Sequence, residues 1–498
     1  MSLSSAALIA QSGLNTITAE SSVLSRNITG ASDTSIYSLK SANVITTPSG
    51  SQVASITRAT NEAVFASMLN ATSANATQTA LSSGLDTLNQ TIGDVSSSSS
   101  STASNSNSPS ALLSNFTDAL QSYEASPSDE TLASAAVSAA STLAQGLNGA
   151  AATVNQVREQ ADSGIATSVQ TINSLLSQFQ SVNTQIVNGT ATGADVTDAQ
   201  DSRDNILSQL AQQIGITTIS NANGSMSIYT DSGVTLFQGG VARSVTFTPT
   251  TTYTAATTGN AVYVDGVPVT GASATMPLQS GTLAGLATLR DSTSVTYQVQ
   301  LDQIAGALIN TFAESDQAGS GPNLPGLFTT PGATSLPGGT TGLASQIAIN
   351  PSVDPSQGGN PFLLRDGGIS GNSDYIYNIS GDASYTARLS QLLTNLSATQ
   401  SFSAAGGIGT SANLSNYASG SVSWLEAQRS DVSTQSTYQS TLLNTATTAL
   451  SNATGVNIDN EMSQMLDLEN SYSATAKLIS TIDTMFSTLL TDFQGLPA

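Results

Sequence analysis

The sequence predicts an α+β multidomain protein: a long helical coiled-coil or bundle stalk formed by both chain ends, with an antiparallel β domain inserted into it. Three observations predict it. Leu3, Ala7, Ala10, Leu14, Ile17, Ser21, Leu24 and Ile28 recur at alternating steps of four and three, the heptad spacing of a helix that buries one narrow stripe. Near the other end Met465, Leu468, Tyr472, Thr475, Ile479, Ile482, Phe486, Leu489 and Phe493 repeat the pattern. Between Gly215 and Gly281 the chain changes to short runs rich in Val, Ile, Thr and Tyr, punctuated by Asn223-Gly224 and Asp265-Gly266, which is hairpin grammar.

Taken in order, residues 1–30 read as a helix and 31–50 as a turn-rich connector with Gly30, Pro48 and Gly50. Helical spacing resumes from Gln52 to Val95, marked by Val64, Met68, Leu81, Leu85, Leu88 and Ile92. The Ser/Asn run 96–110 reads as a mobile loop with no packed role. A helix over 111–124 follows. Ser128 then precedes Asp129 and Glu130, a cap with acids in the first turn. The long helix after it is expected to break near Gly146–Gly149, and its second half carries a seam at Ile165, Val169, Ile172, Leu176, Phe179, Asn183 and Ile186. Another helix spans about 195–214 and ends at Gly215. Beyond the β runs 216–220, 225–230, 234–237, 243–248 and 261–264, helix returns at 282–314. An irregular Gly/Pro-rich stretch covers 318–380, and helices at 383–402 and 411–453 precede the terminal one. The 411–453 helix carries a seam through Trp424, Tyr438 and Leu442.

Composition narrows the chemistry. Charged residues are 9% of the 498, where about 25% is usual. There is no His and no Cys, which removes the commonest general base, the thiol nucleophile, disulfides and the usual zinc ligands. The only lysines are Lys40 and Lys477, so Ser–Lys catalysis has little to work with. A net charge of −22 with no basic cluster argues against nucleic acid and against anionic lipid. No run approaches the ~20 apolar residues of a membrane span, and residues 1–30 lack the pattern of a cleaved secretory signal. No catalytic, cofactor or metal site is expected, and the chain reads as an assembly subunit and not as an enzyme. Asp198, Asp201 and Asp204 could suggest a cation site, but Arg203 stands among them and the EF-hand glycine and final acid are missing. Local Arg–Asp pairing in a first helical turn is the plainer account. The Asn-X-Ser/Thr triplets are what a chain this rich in Asn, Ser and Thr produces by chance, and Trp424 reads as core.

The C-terminal block Gly455-Val-Asn-Ile-Asp-Asn-Glu-Met462, then Tyr472-Ser-Ala-Thr-Ala-Lys477 and the apolar run to Leu490, resembles the signature shared by bacterial flagellar rod, hook and hook-associated proteins. Ser12-Gly13-Leu14, Asn27-Ile28 and Tyr37 resemble the matching N-terminal segment, with Arg26 where the first of two asparagines is usual and Glu469 where Gln is usual. Asp201-Ser-Arg-Asp204 with Ile206, Leu207, Leu210 and Ile214, then Ser280-Gly-Thr-Leu-Ala-Gly-Leu286, Leu289-Arg-Asp291, Leu301-Asp302-Gln-Ile304 and Ile347-Ala-Ile-Asn350, are similar to the hook-associated protein 1 family.

That resemblance implies a structural adaptor between hook and filament, required for filament assembly and exported through the flagellar type III route to an extracellular position. It implies self-assembly into a ring or tube, and hook protein, the second junction protein and an export chaperone as partners. The rival readings are another axial protein, either the second junction protein or a flagellin-like chain, and a secreted adhesin or enzyme. The expected units are 1–50 with 455–498 as the terminal coiled coil; 51–215 with 281–317 and 381–454 as the helical bundle; 216–280 as the β insertion, facing outward; and 318–380 as an irregular outer segment. The candidate interface is Leu3, Leu14, Ile17, Leu24 and Ile28 with Met465, Leu468, Tyr472, Ile479, Ile482, Phe486 and Leu489. Both ends, about 1–40 and 456–498, are expected to be mobile until neighbours cover them.

Overall fold

The computed structural model describes residues 2–32, 37–93 and 107–494, with the side chains of 493 and 494 outside the description. Helix α1 (Leu3–Gly30) starts at Ser2, whose hydroxyl accepts from the Ser5 amide. The connector expected over 31–50, and the helix expected from Gln52, give way to a hairpin, β1 (Lys40–Thr47) and β2 (Gly50–Arg58), paired from Lys40↔Arg58 to Thr47↔Gly50. The physical reason lies in the β-branched residues on both sides of Pro48-Ser49-Gly50, Val44 to Thr47 before it and Val53, Ile56 and Thr57 after it, with Gly50 at φ 124°, where a side chain is strained. A Cβ at Gly50 would also stand 2.7 Å from that of Ser12, because the hairpin tip lies on α1. The boundary drawn between residues 50 and 51 therefore falls inside this turn. Helix α2 (Glu62–Asn89) begins only after the hairpin, capped by Asn61.

The expected loop 96–110 lies outside the described residues except at its end, where Ser108 is buried and caps α3 (Pro109–Ala125). Helix α4 (Glu130–Thr192) runs unbroken through Gly146 and Gly149, against the break expected there. Gly146 serves packing: a Cβ on it would sit 2.3 Å from Leu112 Cδ1 of α3. The Ala-rich sequence around both glycines keeps the helix continuous. Helix α5 (Thr197–Gln213) follows.

Two antiparallel sheets come next. The first orders β3 (Ile216–Ser220), β4 (Met226–Thr230), β5 (Thr235–Gln238) and β6 (Val241–Ala242); the second orders β7 (Val245–Thr246), β8 (Tyr263–Val264) and β9 (Val267–Pro268). Asp265-Gly266 turns β8 into β9, with Asp265 at φ 50°. The Gly215 amide donates to the Ser280 carbonyl at 2.9 Å, so entry to and exit from this region are tied together. The sheets do not stand away from the helices. Ile228, Leu236, Phe237, Val245 and Val264 share one core with Ile165, Ile172, Phe179, Leu207 and Leu210 of α4 and α5. Helix α4 also supplies side-chain amides to strand edges. Asn173 Oδ1 accepts from the Val245 amide and Asn183 Oδ1 from the Met226 amide, both at 3.0 Å.

Helix α6 (Thr282–Thr288) passes through one π-type turn, Leu289–Thr293, into α7 (Ser294–Thr311). Residues 318–380 carry only the short elements β10 (Phe328–Thr329), β11 (Ala348–Ile349) and α8 (Leu363–Asp366) together with 3-10 turns. Yet Leu327, Phe328, Leu343, Ile347, Val353 and Leu364 are buried in the same core as α3, α4 and α7. Phe116, Phe312 and Phe328 form an aromatic triad there, with centroids 5.2–5.5 Å apart. Helix α9 (Ala387–Ser397) and a minimal hairpin, β12 (Gln400–Ser401) with β13 (Ser411–Ala412), lead to α10 (Leu414–Thr454), which packs along α2. Extended Gly455 ends α10, and Asn457 Oδ1 accepts the amides of Asp459 and Asn460 to start α11 (Ile458–Gln494). Among the described residues no helix is long and apolar enough to cross a membrane.

The π turn frees a backbone carbonyl, that of Arg290, and Arg158 Nε of α4 donates to it at 3.1 Å. The same guanidinium reaches the carbonyls of Thr254 at 2.9 Å and Thr257 at 2.5 Å, while Arg290 pairs with Asp162 at 2.6 Å and Asp291 at 2.8 Å. Both arginines are buried; together they hold the long 247–262 connection on the helices. A buried carbonyl left unpaired costs about 1–3 kcal/mol. Arg158→Met, which strands the buried Arg290 carbonyl and leaves those of Thr254 and Thr257 to water, should therefore lower stability in urea unfolding by about 1–3 kcal/mol. Arg429→Ala, which loses only a half-exposed ion pair to Glu426, should change it by less than about 0.5 kcal/mol.

Candidate assembly interface

Helices α1 and α11 lie side by side in opposite directions. Asn27, near the end of α1, meets Glu461 at the start of α11, whereas Gly13 approaches Thr475 farther along. The twelve candidate seam residues do not share one environment. Leu24 and Ile482 are buried; Leu3, Leu14, Ile17, Ile28, Met465, Leu468, Ile479 and Phe486 are half-buried. Tyr472 and Leu489 stay 47% and 57% exposed. The seam reading also missed residues. Ile458, Met462, Leu466, Leu478, Met485 and Leu490 are large, apolar and exposed on α11. The signal was present in the sequence, since a helix that is apolar on more than one face needs more than one neighbour.

Where the terminal unit meets the middle of the chain, polar side chains converge on Asn27. Its Nδ2 donates to the Lys40 carbonyl at 2.8 Å and to Glu461 Oε2 at 2.7 Å; its Oδ1 accepts from the Lys40 amide and the Tyr37 hydroxyl, both at 3.0 Å. The Leu39 amide donates to the Thr454 carbonyl at 2.7 Å, tying the hairpin to the end of α10. Lys40 Nζ lies over the Tyr37 ring at 4.0 Å, donates to Asp198 and stands 3.1 Å from Asp201. Arg58 bridges Asp201 at 3.0 Å and Asp204 at 2.6 Å, and Arg26 pairs with Asp195 at 2.9 Å.

The aspartates of α5 are therefore partnered from β1 and β2, not locally as expected, because Arg203 turns away to the Gly224 carbonyl at 2.8 Å. Their cations are Lys40 and Arg58, with Arg26 of α1 3.9 Å from Asp198. Among the described residues no cluster of His, Cys, Asp or Glu could hold a metal ion. Arg26, the position that departs from the asparagine pair, is one of these ties.

Burial works against the Lys40 charge, but the hydrogen bond to Asp198 and the charge of Asp201 outweigh it, so its pKa is raised. This contribution is complete below the unfolded lysine value of about 10.4 and is lost as pH rises through the higher folded value. Burial likewise opposes ionisation of Asp195, yet hydrogen bonds from Thr197 and Arg26 hold it below the usual range. That contribution is present above about 3.9 and is lost as pH falls through the folded value.

The attachment of the ends should accordingly hold across neutral pH and loosen at both extremes. Asn27→Leu removes four hydrogen bonds at once and leaves Glu461 and the Lys40 backbone unpaired. Limited proteolysis should then cut near Gly455 at least about tenfold faster, a loss of 1.4 kcal/mol or more, with the unfolding of the middle domain unchanged.

Residues 99–326 match the family described as the flagellar hook-associated protein FlgK helical domain, and residues 449–492 match the flagellar basal body rod FlgEFG protein C-terminal family. Flagellar hook-associated protein 1 of Escherichia coli (strain K12) is 31% identical over 166 residues, 32% of this chain and 29% of that protein. The protein of the same name from Salmonella typhimurium is 30% identical over 156 residues, 31% of this chain and 28% of that protein. The chain thus spans under a third of the length of these relatives. A solved structure, the flagellar hook junction protein FlgK from Burkholderia pseudomallei, aligns with a TM-score of 0.41 at 22% identity, over 53% of this chain and 46% of that one. Residues 99–326 thus match the helical domain of the flagellar hook-associated FlgK family, and residues 449–492 match the C-terminal segment of the flagellar rod family.

Proposed function

We propose that this protein is a structural subunit of the bacterial flagellum that joins the hook to the filament. The observation that carries the reading is the combination, in one chain, of a FlgK helical domain with a rod-type terminal helix whose apolar residues are only half covered. Helix α1 covers one side of α11, and the other side needs neighbours. Repeated head-to-tail contacts between identical subunits build rings or open helical tubes, so the uncovered side is where successive copies meet. Hook protein on one side and the second junction protein on the other are its partners by this reading, with an export chaperone before assembly, the flagellar type III route out of the cell and an extracellular position. The protein does no catalysis here; it holds two tubes together.

Ile479 and Phe486 are half-buried against α1 and border the open side. A carboxylate at either position must lose its water when neighbours close, at a cost of several kcal/mol in each subunit. Ile479→Asp and Phe486→Asp should therefore abolish incorporation and motility while circular dichroism of the purified variant stays within about 10% of wild type, since these residues lie outside both large cores. In a strain lacking the protein, electron microscopy should show bare hooks with filament monomers shed to the medium. Normal swimming of either variant would remove α11 from the assembly surface.

A further inference from the structure

A cavity of about 330 Å³ opens where the end of the β1–β2 hairpin, α2, α5 and the end of α10 meet, a size at the lower end of small-molecule sites. Two guanidinium groups, of Arg58 and Arg203, line it. Arg203 is 6% exposed, and its Nη1 donates to the Gly224 carbonyl at 2.8 Å. Its Nε is buried and has no hydrogen-bond partner among the described residues, and neither has its Nη2. Arg58 Nε is unpartnered as well, but its two other nitrogens are committed to Asp201 and Asp204. The free edge is therefore that of Arg203. Nε and Nη2 together form the fork through which a guanidinium takes a planar carboxylate by two parallel hydrogen bonds.

The rest of the wall points the same way. Of the first amides of α2, that of Val64 goes to the Asn61 side chain and that of Phe65 to the Asn61 carbonyl. This leaves those of Glu62 and Ala63, both residues of the wall, for an anion at the helix N-terminus. The wall carries two acids, Asp204 and Glu62, beside its two arginines. A dianion such as phosphate would meet both acids, whereas a monoanion needs only the free fork. Burial pushes the Arg203 pKa down, and Asp204 and Glu62 offset this only in part, so a carboxylate in the fork would relieve a buried charge that no acid touches among the described residues. Phe65, Met226 and Leu450 give the cavity an apolar side. We propose that this cavity binds a small monocarboxylate with a short apolar body, gripped by Nε and Nη2 of Arg203 beside the N-terminus of α2.

The test is a titration of the purified full chain with acetate, butyrate and hexanoate, followed by saturation-transfer NMR. Affinity should rise along the series as the apolar side fills. Hexanamide, which keeps the body and loses the charge, and inorganic phosphate should each bind at least about tenfold more weakly than hexanoate. Arg203→Lys keeps a positive charge but loses the fork. Ala66→Phe, at an exposed residue of the wall, fills the space and leaves every polar group in place. Each should weaken hexanoate at least about tenfold, with circular dichroism and the urea midpoint unchanged. If Arg203→Lys lowers the midpoint, Ala66→Phe decides alone. Hexanoate that binds no better than hexanamide, phosphate that binds as tightly as hexanoate, or undiminished binding by Ala66→Phe overturns the proposal.

Discussion

The arrangement of this chain depends on one buried amide. Asn27 uses both of its donor hydrogens and accepts two hydrogen bonds, and its four contacts reach the Lys40 amide, the Lys40 carbonyl, the Tyr37 hydroxyl and Glu461. These belong to segments near the two ends of the chain. Because the geometry of an amide is fixed and its capacity is saturated, the contacts set the register of the hairpin and of α11 on α1 together. An apolar residue at this place could fill the space but could not choose the register. Lys40, placed by Asn27, then reaches the aspartates of α5, so one side chain couples the joining of the ends to their attachment on the middle domain.

Scarcity of positive charge explains much of the rest. With 11 cations in the chain, most are spent as internal ties. Lys40 and Arg58 serve α5, Arg158 and Arg290 hold the 247–262 connection, and Arg365 pairs with Asp366 at 2.7 Å. Arg388 donates to the Ala313 carbonyl at 2.8 Å and stacks over the Tyr377 ring at 4.2 Å. These contacts are buried or half-buried, where breaking one partner leaves the other uncompensated. The outer surface is left acidic, which keeps free subunits apart in solution. Under the proposed assembly, copies meet favourably only where apolar side chains are brought together.

What was legible in the sequence was what repeats. The seam from Ile165 to Ile186 is buried almost as the spacing implied, and the turns at Asn223-Gly224 and Asp265-Gly266 sit where β-strands reverse. The β1–β2 hairpin was not legible as strand, because Val53 and Ile56 also fit a helical period and the segment is short. Its identity comes from α1, which Thr16 ties to the Ser51 carbonyl at 2.7 Å. Gly146 misled in the other direction: a glycine in a helix lowers propensity, and its use for close packing with Leu112 is a tertiary fact. At the candidate interface the heptad spacing was legible, but the partners of Asp198, Asp201 and Asp204 were not, since Lys40 and Arg58 lie more than a hundred residues away in sequence.

The irregular segment and the β region bear on how force could pass through such a subunit. Residues 318–380 bury Leu327, Phe328 and Ile347 beneath α3, α4 and α7, and the sheets share a core with α4 and α5. Neither is an appendage, because removing either would expose the helices that carry the chain. Helix α4 crosses both cores without a break from Glu130 to Thr192, so a displacement at one end is transmitted to the other through close-packed side chains. The terminal unit is different. It is held by Asn27 and a row of ion pairs and is apolar on an uncovered side. It therefore has the directional attachment that a repeating contact needs, and under the proposed assembly it is the next copy that buries its remaining apolar area.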